Sequence, residues 1–306
     1  MAERRRLTAY IGPAGAGHDV DLPLVTDPSE VAGVSEPLAR ARARYEGGTR
    51  VAELVPDVFE AHARVFHRPC YEEPEVIMRR AELEKQLESP DPERAMADPL
   101  AELNRMQSDP LWRELHELDE QRMAAPGSTL RTWHEIAAEN GKIAHPQMEW
   151  HQISTPTVDD ERFFSWGWEM EPEEVATLAA TLRPFTATPD SCFLAIWEGY
   201  GMEAIESRRG SAFLLGPHEH LVFRGTLADA SSDAWNEAFN HPPTFWWPED
   251  RRWCVGFDID FDTTFVGGSA ELVRALVDSD ELEALEIGAD ARVDFTGDEI
   301  NGGGRA

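Results

Sequence analysis

The chain has 306 residues, of which 42% are hydrophobic and ten are tryptophan, enough for a sizeable core and too apolar for wholesale disorder. Acidic residues outnumber basic ones 58 to 28, and a formal net charge of -30 repels phosphate backbones and anionic lipid, which argues against nucleic acid and membranes as partners. No run approaches the roughly 18 apolar residues of a membrane span, the start MAERRRLTAY is too short in apolar residues for a signal peptide, and Cys70, Cys192 and Cys254 show no CxxC spacing, so a cytoplasmic protein with reduced thiols is expected.

Residues 12–35 are rich in Gly, Pro and Asp without helical period and read as part of an extended N-terminal arm covering 1–35. A short helix over Glu36–Tyr45 should follow, stopped by Gly47 and Gly48. The run RVAELVPDVFEAHARVFHRP predicts two strands around Pro56-Asp57, because Phe59, Ala61, Ala63 and Val65 alternate with polar residues. Residues 71–127 are charged, helix-prone and cut by Pro90, Pro92, Pro99 and Pro110, with one apolar stripe at Leu111, Trp112, Leu115 and Leu118. That segment reads as a peripheral helical insertion within a mixed region 36–153.

Beyond it, a helix start near Ser128, an apolar face through Trp133, Ile136 and Ala137, and a stop at Gly141 predict one helix, with a second carrying Trp150 and Ile153. EPEEVATLAATLRP is an amphipathic helix with Pro172 in its first turn and Arg183 at its end. CFLAIWEGYG, SAFLLG and HLVFRG are strand candidates, followed by HPPTFWWPEDRRWCVGFDIDF and a helix from Ser269. Consecutive strands mixed with single helices predict an α+β fold with a mixed or antiparallel C-terminal sheet over 171–290 and a flexible tail at 291–306.

Several constellations invite a functional reading. Asp258, Asp260 and Asp262 have the start of a calcium loop, but Thr263 and Ser269 stand where its Gly and Glu belong, so a strand face carrying aspartates is the expectation. Mutual repulsion should raise their pKa values, relieved by Arg251 or Arg252. His218 and His220 share one face of a strand, as two metal ligands can, with His67, His145 and His151 as loose candidates for a third. His134-Glu135 lacks the second histidine of a zincin. The glycine turns GPAGAG and VGGS are weak phosphate sites, and Ser269 reads as a helix cap. Cys192 and Cys254 read as inert buried thiols, and no cofactor is expected.

FWWPEDRRW predicts a hairpin at the edge of the sheet, with Trp253 buried and a bulge near Gly256 that lets Trp253 and Phe257 share the core. Because neighbouring residues of a strand point to opposite faces, one of Trp246 and Trp247 is expected on the surface. With Glu249, Asp250 and Arg251 it would form a binding face for a protein partner.

The segments VAELVP with ARVFHRP, TWHEIAAENG with HPQMEW, TATPDSCFLAIWEGYG, HLVFRGTL and PTFWWPEDRRWCVGFDIDFDTTFVGGSAELVRALVDSDELEAL carry a resemblance. On them the chain resembles an uncharacterised family of actinobacterial proteins, which implies the domain plan above and brings no activity with it. The expected function is therefore an acidic interaction protein of regulatory or immunity kind, without catalysis, using an exposed tryptophan; the alternative is a hydrolase or metal-dependent enzyme using the 258–262 aspartates with His218 or His220.

Overall fold

The computed structural model describes residues 22–45, 49–71, 74–87, 105, 108–124, 131–154, 163–164, 170–200 and 212–302. In chain order its helices are α1 (Pro28–Arg44), α2 (Val51–Leu54), α3 (Pro74–Gln86), α4 (Pro110–Ala124), α5 (Trp133–Glu139), α6 (Trp150–Ile153), α7 (Pro172–Leu182), α8 (Asp233–Phe239) and α9 (Ala270–Val277). The strands are β1 (Ala61–Phe66), β2 (Cys70–Tyr71), β3 (Phe163–Phe164), β4 (Cys192–Trp197), β5 (Phe213–Leu215), β6 (His218–Gly225), β7 (Phe245–Pro248), β8 (Cys254–Gly256), β9 (Thr263–Gly268) and β10 (Glu283–Ile287). The fold is α+β, with one eight-stranded sheet in the order β10-β1-β9-β8-β7-β4-β6-β5, every neighbouring pair antiparallel.

Two compact units share the chain. The first takes the described residues of Met1–His67, His145–Gln147 and Trp168–Glu299; the second takes those of Arg68–Ala144, Met148–Gly167 and Ile300–Ala306. The eight-stranded sheet belongs wholly to the first unit. It is not confined to the C-terminal half, since β1 lies between β9 and β10.

Both faces of this sheet are covered. On one, Leu194, Ile196, Phe223, Trp246, Trp253, Val255 and Val266 pack against α7, α8 and α9 through Leu178, Trp235 and Leu276. On the other, Phe193, Val222, Phe245, Trp247 and Phe265 pack against α1 and α2 through Val31, Leu38 and Leu54. Neighbouring strand residues that point opposite ways can therefore both be core.

Several expectations change for local reasons. Residues 28–35 belong to α1 rather than to an arm: Asp27 accepts the Ser29 amide at 2.9 Å as N-cap, and Pro28 opens the helix. Residues 22–25 do run extended, with Val25 N–H donating to Val222 O at 2.8 Å. VAEL is a single helical turn instead of a strand, because the Arg50 amide donates to Glu53 at 2.9 Å, and only the second expected strand forms, as β1. Near the C-terminus, Val293 is fully buried and its amide donates to Thr49 O at 3.0 Å, so the expected tail is structured there. The GPAGAG turn and Pro90, Pro92 and Pro99 lie outside the described residues.

In the second unit, the helix-prone segment supplies α3, before Pro90, and α4, which begins at Pro110. The Arg79 guanidinium grips Glu114 with two hydrogen bonds of 2.6 and 2.8 Å, Pro110 starts α4, and Leu115 is its buried apolar position. The helices α5 and α6 carry the expected apolar residues, but α5 starts after Thr132, which forms a capping box with Glu135, rather than near Ser128; Trp133 lies edge-on to Trp150 at 5.1 Å.

Candidate functional site

Antiparallel register brings four chain segments to one end of the sheet. Trp197 at the end of β4 lies opposite His220 near the start of β6, and Ala195 lies opposite Phe245, which in turn faces Gly256 at the end of β8. Trp197 and residues just outside these pairs converge: His218, Tyr200, His241 and Asp258.

At the centre, Nε2 of His218 stands 3.3 Å from Oδ2 of Asp258. The Asp258 side chain is only 5% exposed, whereas that of His218 is 35% exposed. Asp258 does not sit on a strand, because β8 ends at Gly256 and residues 257–262 turn into β9. Within that turn Oδ1 of Asp258 accepts the Asp260 amide at 3.1 Å, and the Phe261 amide donates to Asp258 O at 3.0 Å. Burial raises the Asp258 pKa above its ordinary value; the Asp260 amide and His218 oppose this, and the Asp260 charge is a minor addition. The cause is thus mainly desolvation rather than the expected repulsion among aspartates. His218, and not Arg251 or Arg252, is the counter-group.

Aromatic rings wall the pair. Trp197 lies 5.1 Å from the His218 ring and 5.2 Å from Tyr200, and Tyr200 stacks on His241 at 3.8 Å. Gly199, in the turn Glu198–Tyr200, is what lets the Trp197 ring fold back: a Cβ there would fall 2.1 Å from its Cζ2.

His220 shares the strand face of His218 but not its role. It is buried edge-on against Phe245, its Nδ1 donates to His218 O at 3.0 Å, and burial pushes its pKa down to about 3. His67 bonds Thr264 at 2.8 Å and His145 bonds Asp298 at 2.8 Å, while His151 belongs to the second unit. Among the described residues, no group of three or more His, Cys, Asp or Glu could hold a metal ion. Burial pushes the Cys192 thiol up to about 12 and the Cys254 thiol up as well, so both are inert, as expected.

The tryptophan hairpin is corrected on three counts. Strands β7 and β8 stand in the middle of the sheet, and Trp246, Trp247 and Trp253 are all buried. Trp246 meets Trp253 edge-on at 5.8 Å in one core, while Trp247 stacks on Phe193 at 5.2 Å in the other. The register through Gly256 is unbroken, because Trp253 and Phe257 already have the same parity and need no bulge.

Gly256 answers to a different need: a Cβ there would fall 2.0 Å from the carbonyl oxygen of Leu54 at the end of α2. The turn residues brace the hairpin rather than form a free face. Asp250 accepts from Thr186 Oγ1 at 2.9 Å and the Ala187 amide at 2.8 Å, and Arg251, with φ 55°, lies against Gly33 of α1 and donates to Glu30 O at 3.1 Å. Glu249 is exposed, 3.8 Å from Arg224.

VGGS works as a cap, as expected. Ser269 accepts the Leu272 amide at 3.2 Å, and Glu60 already accepts the Ala270 amide at 3.2 Å, so a carboxylate of the chain itself occupies this helix start.

The sequence offered the 258–262 aspartates with His218 or His220 as one alternative, and of these the fold brings His218 to Asp258. Trp197, Tyr200 and His241 were missed as site residues; the Gly of WEGYG, between two aromatic rings, was the available signal. Comparisons with protein-family models, with curated proteins and with solved structures return no match.

Proposed function

We propose that this chain is a hydrolytic enzyme whose proton-transfer centre is His218 with Asp258. The observation behind this reading is a half-exposed imidazole 3.3 Å from a carboxylate that is almost wholly shielded from water. With Nε2 turned to Asp258, Nδ1 is the ring nitrogen left to work on a substrate. It takes a proton from a water molecule as the water oxygen attacks the substrate, and the Asp258 carboxylate stabilises the imidazolium that forms. The same proton then passes to the leaving group, so the pair ends as it began.

The interaction-protein reading depended on an exposed tryptophan, and burial of both Trp246 and Trp247 removes that support. A panel of p-nitrophenyl esters, phosphates and glycosides tests the proposal. Turnover by the wild type should fall at least about a hundredfold in His218→Gln and clearly in Asp258→Asn. Turnover that survives in His218→Gln would count against His218 as the proton-transfer centre, and none on any substrate of the panel would count against a hydrolase. Because Asp258 ionises above its ordinary 3.8, the acid limb of the rate should lie above that value too.

A further inference from the structure

We propose that Trp197 is the positioning residue that holds His218 on Asp258, and that Gly199 exists to admit its ring. This rests on the proton-transfer reading of the pair. Three geometric facts support it. Trp197 and His218 lie on the same sheet face of adjacent strands, with ring centroids 5.1 Å apart and planes inclined by 47°. Tyr200 meets the Trp197 ring nearly at right angles, at 5.2 Å and 70°. The space for the ring is open only because residue 199 has no side chain, since a Cβ would fall 2.1 Å from Cζ2 and 2.3 Å from Cε2 of Trp197.

The opposing surface of His218 is set independently. The β5–β6 turn that precedes it places Gly216 at φ 57°, and Arg42 of α1 donates to the Gly216 and Pro217 carbonyls at 3.3 Å each. The backbone of His218 is thereby tied down at the turn, while its side chain, 35% exposed, needs a lateral wall to stay on Asp258. Trp197 supplies that wall. An alanine at 199 cannot be absorbed where the ring now lies, because the contacting atoms belong to a rigid indole, so the ring must move away from His218.

The test is a double-substitution cycle on the full chain, read at the Asp258 carboxyl by NMR with 13C-labelled aspartate. In the wild-type background, His218→Gln should move the Asp258 midpoint upward, because a favourable neighbour is lost. In the Gly199→Ala background the same substitution should move it less than about half as far. Trp197→Leu should reproduce that loss and carries the cycle if Gly199→Ala folds poorly, while Trp197→Phe, which keeps a flat ring, should restore most of the response. A purely structural tryptophan would lower stability yet leave the response unchanged. An equal response in all backgrounds overturns the positioning alone. A wild-type midpoint indifferent to His218 overturns it together with the proton-transfer reading, whereas intact coupling in a chain that hydrolyses nothing removes the hydrolase and keeps Trp197 in its place.

Discussion

Asp258 combines two demands that oppose each other. Its folded pKa lies above its unfolded one, so its contribution to stability is complete below the unfolded value and is lost as pH rises through the folded value. Asp258→Asn, which can still accept the Asp260 amide, should therefore melt higher than the wild type near pH 7.5, and the two should converge near pH 3. A lower melting temperature for the variant at pH 7.5 would mean that the ionised carboxylate is a net stabiliser. Gly256 makes the complementary case. Gly256→Ala should cost on the order of 1–3 kcal/mol in urea denaturation, because the obstacle is the Leu54 carbonyl, a backbone atom of α2 that cannot rotate away. Composition and pattern marked His218, Asp258 and Gly256 as unusual positions. Their partners were hidden, because Leu54 and Trp197 are distant in sequence and only register brings them close.

Among the elements, the hairpin β7–β8 shows where pattern reading succeeds and where it stops. Its strands and turn were legible from FWWP, PED and WCV. Its central place was not, because alternation reports that two faces differ and is silent when both are apolar. Trp247→Ala and Trp253→Ala should each cost about 3–5 kcal/mol, and Trp246→Ala a comparable amount. Near-neutral stability for any of them would show that its ring is not core. The helix α1 was signalled by Asp27-Pro28 but masked by the Gly- and Pro-rich residues before it. Strand β9 hid behind its own glycines, which admit Phe59, Val55 and Leu272, and β10 behind the helix-prone EALEI, whose pairing with β1 overrides local propensity. All strands of the eight-stranded sheet and both of its cores lie outside residues 71–127. Replacing that segment with a short Gly/Ser linker should accordingly leave one sharp unfolding transition for the sheet; a broadened transition would assign α3 and α4 to it.

For the whole molecule, the buried histidines set an acid limit. His220 in the folded state stays neutral down to about pH 3, whereas the unfolded chain protonates it near its ordinary 6.5. Its stabilisation is thus present above 6.5 and drains away as pH falls between those values, by about 1.4 kcal/mol per pH unit, and His62, lowered in the same direction by burial, adds to the slope. His220→Gln should flatten the stability profile between pH 6 and 4; an unchanged slope would place the proton uptake elsewhere. The position of β1 between β9 and β10 carries a different consequence, one of timing. Its hydrogen-bonding partners come roughly 200 residues later, which at ~5–20 residues per second is ~10–40 s of synthesis. Until then AHARVF emerges with both edges open and no neighbour to close them, so the sheet cannot assemble from its N-terminal end. The nascent chain has to keep that strand from pairing with another copy until β9 and β10 arrive.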